Sequence, residues 1–204
     1  MDEMKPAKRK SKPRDLLAVL EPEQIRALLR AAANAGVTDH ALIAMGYHYG
    51  LRAAEYGLIR RIDVNLSPQS HAPAGEVYIT ALKNSISKTQ PLRPELVPGI
   101  VAILRAQLES LGEEELLLFP RHGRNRIFRR FIELCAEAGL PRRAAHPHIL
   151  KSSLASHLLS AGADMKFVQD WLRHKHISST MRYLHLTREQ QERGIEAMKK
   201  IGGK

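Results

Sequence analysis

Apolar and polar positions along the 204-residue chain fall into two periods. In "EPEQIRALLRAAANAG", Ile25, Leu28, Leu29 and Ala32 recur at helical spacing, Pro22 suits a first helical position, and Gly36 ends the run. Thr38 is placed to cap the next helix, through "DHALIAMGYHYG". After Gly50, "LRAAEYGLIRRIDVNL" predicts a short helix ending near Ile62, and the 64–74 stretch, with Pro68 and Pro73, reads as a loop. The period then changes. "EVYITALK" is rich in β-branched and aromatic residues and predicts a strand, "NSIS" the turn, and "KTQPL" a returning strand that Pro91 confines to an edge or to its own end.

Helical spacing resumes after Pro98, with Ile100, Ile103, Leu104, Leu108 and Leu111. "LLLFP" is a short buried segment. Ile127, Phe128, Phe131, Ile132, Cys135 and Ala138 mark another helix, stopped by Gly139 and Pro141. A helix starts near His148, Asp164 caps the next through Trp171, a short one covers 178–184, and a polar helix covers 188–200. The pattern predicts a mainly α fold with a small antiparallel β-sheet, in one compact domain over residues 15–187. Before it stands a basic arm, residues 1–14, with six Lys/Arg and almost nothing apolar, expected to be disordered. After it, residues 188–204 carry Ile195, Met198 and Ile201 as a narrow apolar stripe.

Charge narrows the class. The formal net charge is +11, which favours a polyanionic partner, nucleic acid ahead of anionic membrane. A single cysteine, Cys135, allows no disulfide within the chain and lies in an apolar helical pattern. No stretch has the length of a membrane span, and the first residues lack the apolar core of a signal peptide. The expected location is the cytoplasm, in association with the nucleoid.

Candidate chemistry lies at five places. Arg52 follows Gly50, Lys83 ends a strand at a hairpin turn, and His148 and Lys151 share one helix face. His174 lies between Arg173 and Lys175, and Tyr183 comes nine residues later in "STMRYLHLT". Each has a structural explanation taken singly: Arg52 can pair with Glu55, Lys83 can be a solvated turn residue, His148 can cap its helix, and Tyr183 can be a half-buried aromatic. The "HPH" and "HKH" pairs lack clustered cysteines or carboxylates, so no metal site is expected, and no cofactor.

The order of the set resembles the catalytic domain of tyrosine recombinases, the phage integrase family. The resemblance runs through "YGLRAAEYGLIRRIDVNL", "ALKNSISKTQPL", "LLLFPRHGR" and "HPHILKSSLASHLLSAGADMKFVQDWLRHKHISSTMRYLHL", about residues 20–187. In size the chain is most similar to the small single-domain fimbrial phase-variation invertases. The resemblance implies site-specific DNA recombination by strand cleavage and rejoining through a 3′-phosphotyrosine. It implies that Arg52, Lys151 and His174 hold the phosphate and that Tyr183 is the nucleophile. His148 assists it, and Lys83 protonates the leaving 5′-oxygen. The implied partners are double-stranded DNA and further copies of the chain, a tetramer on two DNA sites, with no membrane.

Two departures stand out. Lys151 occupies the place of an arginine, keeping charge but losing the bidentate fork, so slower chemistry is expected. Arg173 replaces a glycine, either compensating for Lys151 or contacting DNA backbone or solvent. Arg121, Arg124, Arg126 and Lys175 are further candidates for backbone contacts. The alternative to an active enzyme is a recombinase relative that binds DNA in an accessory or regulatory role and cuts nothing.

Overall fold

A computed structural model describes residues 19–82, 85–120 and 123–183. The expectations for the 1–14 arm, Lys83, Arg121 and the 188–204 helix lie outside the described residues.

Helix α1 (Pro22–Ala35) begins with Pro22, where no amide proton is needed, and the Glu21 N–H donates to the Gln24 side-chain oxygen at 2.9 Å. It buries Ile25, Leu28 and Ala32. Helix α2 (Val37–Tyr49) starts directly after Gly36, so Thr38 lies inside it rather than capping it. Ala41 through Tyr49 are all buried, because α2 runs between α1, α3 (Ile100–Glu109) and α5 (His148–Ser160).

The helix predicted between Gly50 and Ile62 does not form. The chain makes 3₁₀ turns at Tyr56–Leu58 and Arg61–Asp63. The reason is local competition for backbone amides. The Glu55 carboxylate accepts from the Arg52 N–H at 2.9 Å, and the Asp63 carboxylate from the Arg60 N–H at 2.8 Å. Such side-chain captures favour turns over a helical ladder.

The sheet is antiparallel in the order β1 (Val64–Asn65), β2 (Glu76–Ile79), β3 (Lys88–Pro91). β1 falls in the stretch expected to be loop, and β2 ends four residues earlier than the pattern suggests. Val77 and Ile79 face the core while Tyr78 faces outward, the alternation of a half-buried strand. Pro91 closes the edge strand β3, where its missing amide does least harm.

Helix α4 (Arg124–Glu137) buries Ile127, Phe131, Leu134 and Cys135 but leaves Phe128 and Ile132 exposed. Helix α6 (Met165–Trp171) is capped by Asp164, whose carboxylate accepts from the Lys166 and Phe167 amides at 2.7 and 3.3 Å. Helix α7 (Ser178–Met181) is shorter than expected. Among the described residues no helix is long and apolar enough to cross a membrane.

Candidate active site

Helix α2 ends at Gly50, whose φ of 57° lies in the left-handed region. A Cβ there would meet Leu172 Cδ2 at 2.7 Å and Lys151 Cγ at 3.2 Å. The glycine therefore both stops the helix and lets it close on α5 and on the segment after α6.

Arg52 stands just past this turn, its side chain 28% exposed. Glu55, fully buried, holds it twice: Oε2 takes the Arg52 backbone N–H, and Oε1 takes Nη1 at 3.1 Å. Nη1 also donates to Ser85 Oγ, in the loop between β2 and β3. Ser85 and Ile86 of that loop are anchored next to the site. Ile86 N–H donates to the Arg173 carbonyl at 3.0 Å, and Ser85 bridges His174 in antiparallel fashion.

Helix α5 forms the floor. His148 opens it and is exposed. Lys151, one turn on, is fully buried, and its Nζ donates to the Leu172 carbonyl at 2.9 Å. The expectation of a Lys151 cation presented to a phosphate is corrected on this point: the ammonium group is turned inward. Burial, followed by the charges of Arg173 and Arg52, pushes its pKa well below the ordinary lysine value.

His174 is buried, and its Nδ1 lies 2.9 Å from Thr180 Oγ1. Its ring stacks on that of Tyr183, with centroids 6.4 Å apart and planes 12° from parallel. Burial of His174, and desolvation of His148 by the residues packed around its exposed ring, with the Lys151 and Arg52 charges behind them, push His148 down to about 4 and His174 to about 3. Both imidazoles are therefore neutral at pH 7. Tyr183, just after α7, is 1% exposed. Burial raises its pKa, while a hydrogen bond with the Ser152 side chain and the charges of Arg182 and Arg52 pull the other way. The positive charge of Arg52 contributes to the shifts of His148, Lys151, His174 and Tyr183 alike.

Arg173, expected to contact DNA backbone or solvent, is neither exposed nor solvated. It is 1% exposed, and its guanidinium donates to the Tyr49 carbonyl, the Gln90 side-chain oxygen and Glu55. Three buried acceptors replace water. By contrast Lys175 is exposed, as are Arg124 and Arg126 on the first turn of α4. Ser85, Ser152, Thr180 and Gln90 are not singled out by the sequence. For Ser152 alone there is a signal, the polar set Lys151, Ser152, Ser153 and Ser156 on α5.

The Phage integrase family profile matches residues 18–190. The chain belongs to this family. Among phage integrase relatives, it is 32% identical over 197 residues to the tyrosine recombinase XerD of Rhizobium meliloti strain 1021, covering 87% of this chain and 60% of XerD. The chain thus spans less than two thirds of the length of XerD. It is 27% identical over 172 residues to the type 1 fimbriae regulatory protein FimE of Escherichia coli strain K12, covering 80% of this chain and 83% of FimE. The fold is similar to that of the XerA recombinase crystal structure, with a TM-score of 0.72 at 22% identity over 93% of this chain and 66% of XerA.

Proposed function

We propose that this phage integrase family member is a site-specific DNA recombinase that cuts and rejoins strands through Tyr183. The reading rests above all on one observation: Arg52 donates to Ser85, Ser85 bridges His174, and the His174 ring stacks on Tyr183, so a chain of contacts links Arg52 to residues far later in the sequence. A phosphodiester repels nucleophiles, so donors must hold its non-bridging oxygens as charge builds on them. Arg52 supplies a guanidinium and His174 a ring nitrogen. Tyr183 Oη attacks phosphorus, the P–O5′ bond breaks, and a 3′-phosphotyrosine and a 5′-hydroxyl result. His148, neutral and exposed, takes the phenolic proton, and Lys83 gives one to the leaving oxygen. The phosphodiester energy stays in the covalent bond, so rejoining needs no nucleotide.

The buried state of Tyr183 fits a two-step use. At neutral pH the phenol is protonated and tucked against His174, so it must swing outward before it reaches a phosphate. DNA binding draws on the overall charge of +11. Arg124 and Arg126 occupy the first turn of α4, where a helix prefers acidic residues, so their value is not to the helix itself. We assign them and Lys175 to phosphate contacts. Exchange between two duplexes calls for self-association as a tetramer, and the action belongs in the cytoplasm, on the nucleoid.

The inward-turned Lys151 favours a second reading, a DNA-binding accessory protein that does not cut. The two are separated with nicked duplexes built on the site that the protein selects from a randomised pool. A covalent protein–DNA adduct on a denaturing gel supports the enzyme. Tight binding without an adduct supports the accessory role.

A further inference from the structure

Arg173 is, among the described residues, the one non-glycine residue at a positive φ, 57°. That conformation disfavours an L side chain, so the side chain must contribute something a glycine would not. Its guanidinium is fully buried. Nη1 donates to the Tyr49 carbonyl at 2.9 Å and to Gln90 Oε1 at 2.7 Å, and Nη2 to Glu55 Oε2 at 3.2 Å. Nε has no partner among the described residues, so the group is not placed for its own best satisfaction.

The two partners of Arg52 both depend on residue 173. Glu55 takes Arg173 from below on Oε2 and Arg52 Nη1 on Oε1. Ser85, which takes the other bond of Arg52 Nη1, bridges His174, and the next residue, Ile86, donates to the Arg173 carbonyl. Charge follows the same geometry. One carboxylate faces two guanidiniums, leaving a net positive charge, and the partly exposed member of the pair is Arg52.

We infer that Arg173 is a positioning residue for Arg52: by neutralising Glu55 from inside the fold, it leaves the Arg52 charge uncompensated and directed at a phosphate oxygen. The inference rests on the recombinase reading for its consequence but not for its geometry. Without Arg173, Arg52 becomes the only counter-ion of Glu55. It then closes onto both carboxylate oxygens, leaves Ser85, and is withdrawn from the substrate.

The test uses the full chain and nicked duplexes carrying the selected site. Arg173→Gly removes the guanidinium and at the same time relieves the backbone, so the fold loses less than at an ordinary buried arginine. Single-turnover cleavage at saturating duplex is expected to fall by about 10-fold or more, with the Kd for duplex within about 2-fold of the unmodified protein. Adding Glu55→Gln to Arg173→Gly should restore most of the rate, because a neutral amide no longer captures Arg52. Arg173→Lys, which keeps a cation, should retain more rate than Arg173→Gly despite its strained backbone. An unchanged rate in Arg173→Gly, or a loss that Glu55→Gln deepens, overturns the inference, since a merely structural arginine gives additive damage. A crystal structure of the Arg173→Gly variant decides independently of activity. Arg52 bidentate on Glu55 supports the inference, and Arg52 still on Ser85 overturns it. If the unmodified protein forms no adduct, the recombinase reading fails while this structural result still decides the role of Arg173. If Arg173→Gly does not fold, Arg173→Gln, which removes the charge while keeping a polar side chain, is read in the same way.

Discussion

Helices α4 and α5 are nearly equal in length and equally visible as helices in the sequence, yet they obey different rules. α4 is two-faced. Ile127, Phe131, Leu134 and Cys135 face the core, and a surface of arginines faces out, with Arg130 tied to Asp39, Glu133 and Glu137. Apart from Phe128 and Ile132 on its open face, its residues sit where their polarity sends them. α5 has no such division. Lys151, Ser152, Ser153 and Ser156 are buried alongside Ile149, Leu150, Leu154 and Leu159. Buried polar groups must find partners: Lys151 finds the Leu172 carbonyl, Ser153 the Leu20 amide, and Ser152 both the His148 carbonyl and Tyr183. A helix that gives core positions to hydrogen-bonding groups holds other segments in place, here Leu20, Leu172 and Tyr183.

The largest effect expected from this contrast is at the charge of Arg52. Arg52→Ala should lower the single-turnover cleavage rate by about 100- to 1,000-fold, as removal of a transition-state donor does. It should leave folding intact, because Arg173 still pairs Glu55. A rate within about 3-fold of the unmodified protein would detach Arg52 from the chemistry.

Next comes the packing of the two helices. Leu154, fully buried on α5, should cost about 2–5 kcal/mol as Leu154→Ala, read by urea unfolding. Phe128→Ala on the open face of α4, where the ring is 43% exposed, should cost about 1 kcal/mol or less. Equal losses would erase the distinction between a two-faced and an enclosed helix.

Lys151 gives the third. Its pKa is depressed by burial and by the Arg173 and Arg52 charges. Between the depressed value and the ordinary lysine value the unfolded chain binds the extra proton, so stability from this group rises with pH. Relative to Lys151→Met, the unmodified protein should therefore gain stability as pH is raised through the range between the depressed value and the ordinary lysine value. A difference independent of pH would mean that the ammonium is charged and solvated.

The smallest effect belongs to α4. Replacing Arg124 and Arg126 together by alanine should reduce the slope of log affinity against log salt by about 0.9 for each phosphate that the pair neutralises. An unchanged slope would make their exposure mere solubility.

How far the sequence announces all this follows the same division. The outer helices are legible because burial and polarity coincide: α1 and α4 lie where the apolar period places them. The segment after Gly50 is not, since its apolar residues fit a helix while Glu55 and Asp63 take the amides that a helix needs. Arg52, His148, His174 and Tyr183 stand out by order and spacing, whereas the Ser85 link between Arg52 and His174 does not. The inward turn of Lys151 and the burial of Arg173 are invisible in the sequence. Both depend on partners more than 20 residues away along the chain, Leu172 for one and Glu55, Tyr49 and Gln90 for the other. A charged residue read alone is assigned to the surface, and only the three-dimensional partners reverse that assignment.

On the function proposed above, Tyr183 leaves its place beside His174 to form a covalent bond to DNA. The direct measurement is trapping on the nicked duplex with the unmodified protein and with Tyr183→Phe, followed by peptide mapping of the DNA-linked fragment. The account predicts an adduct on the peptide containing Tyr183, abolished in Tyr183→Phe while duplex binding persists. An adduct that survives Tyr183→Phe, or that maps to Tyr56 or Tyr78, would contradict it.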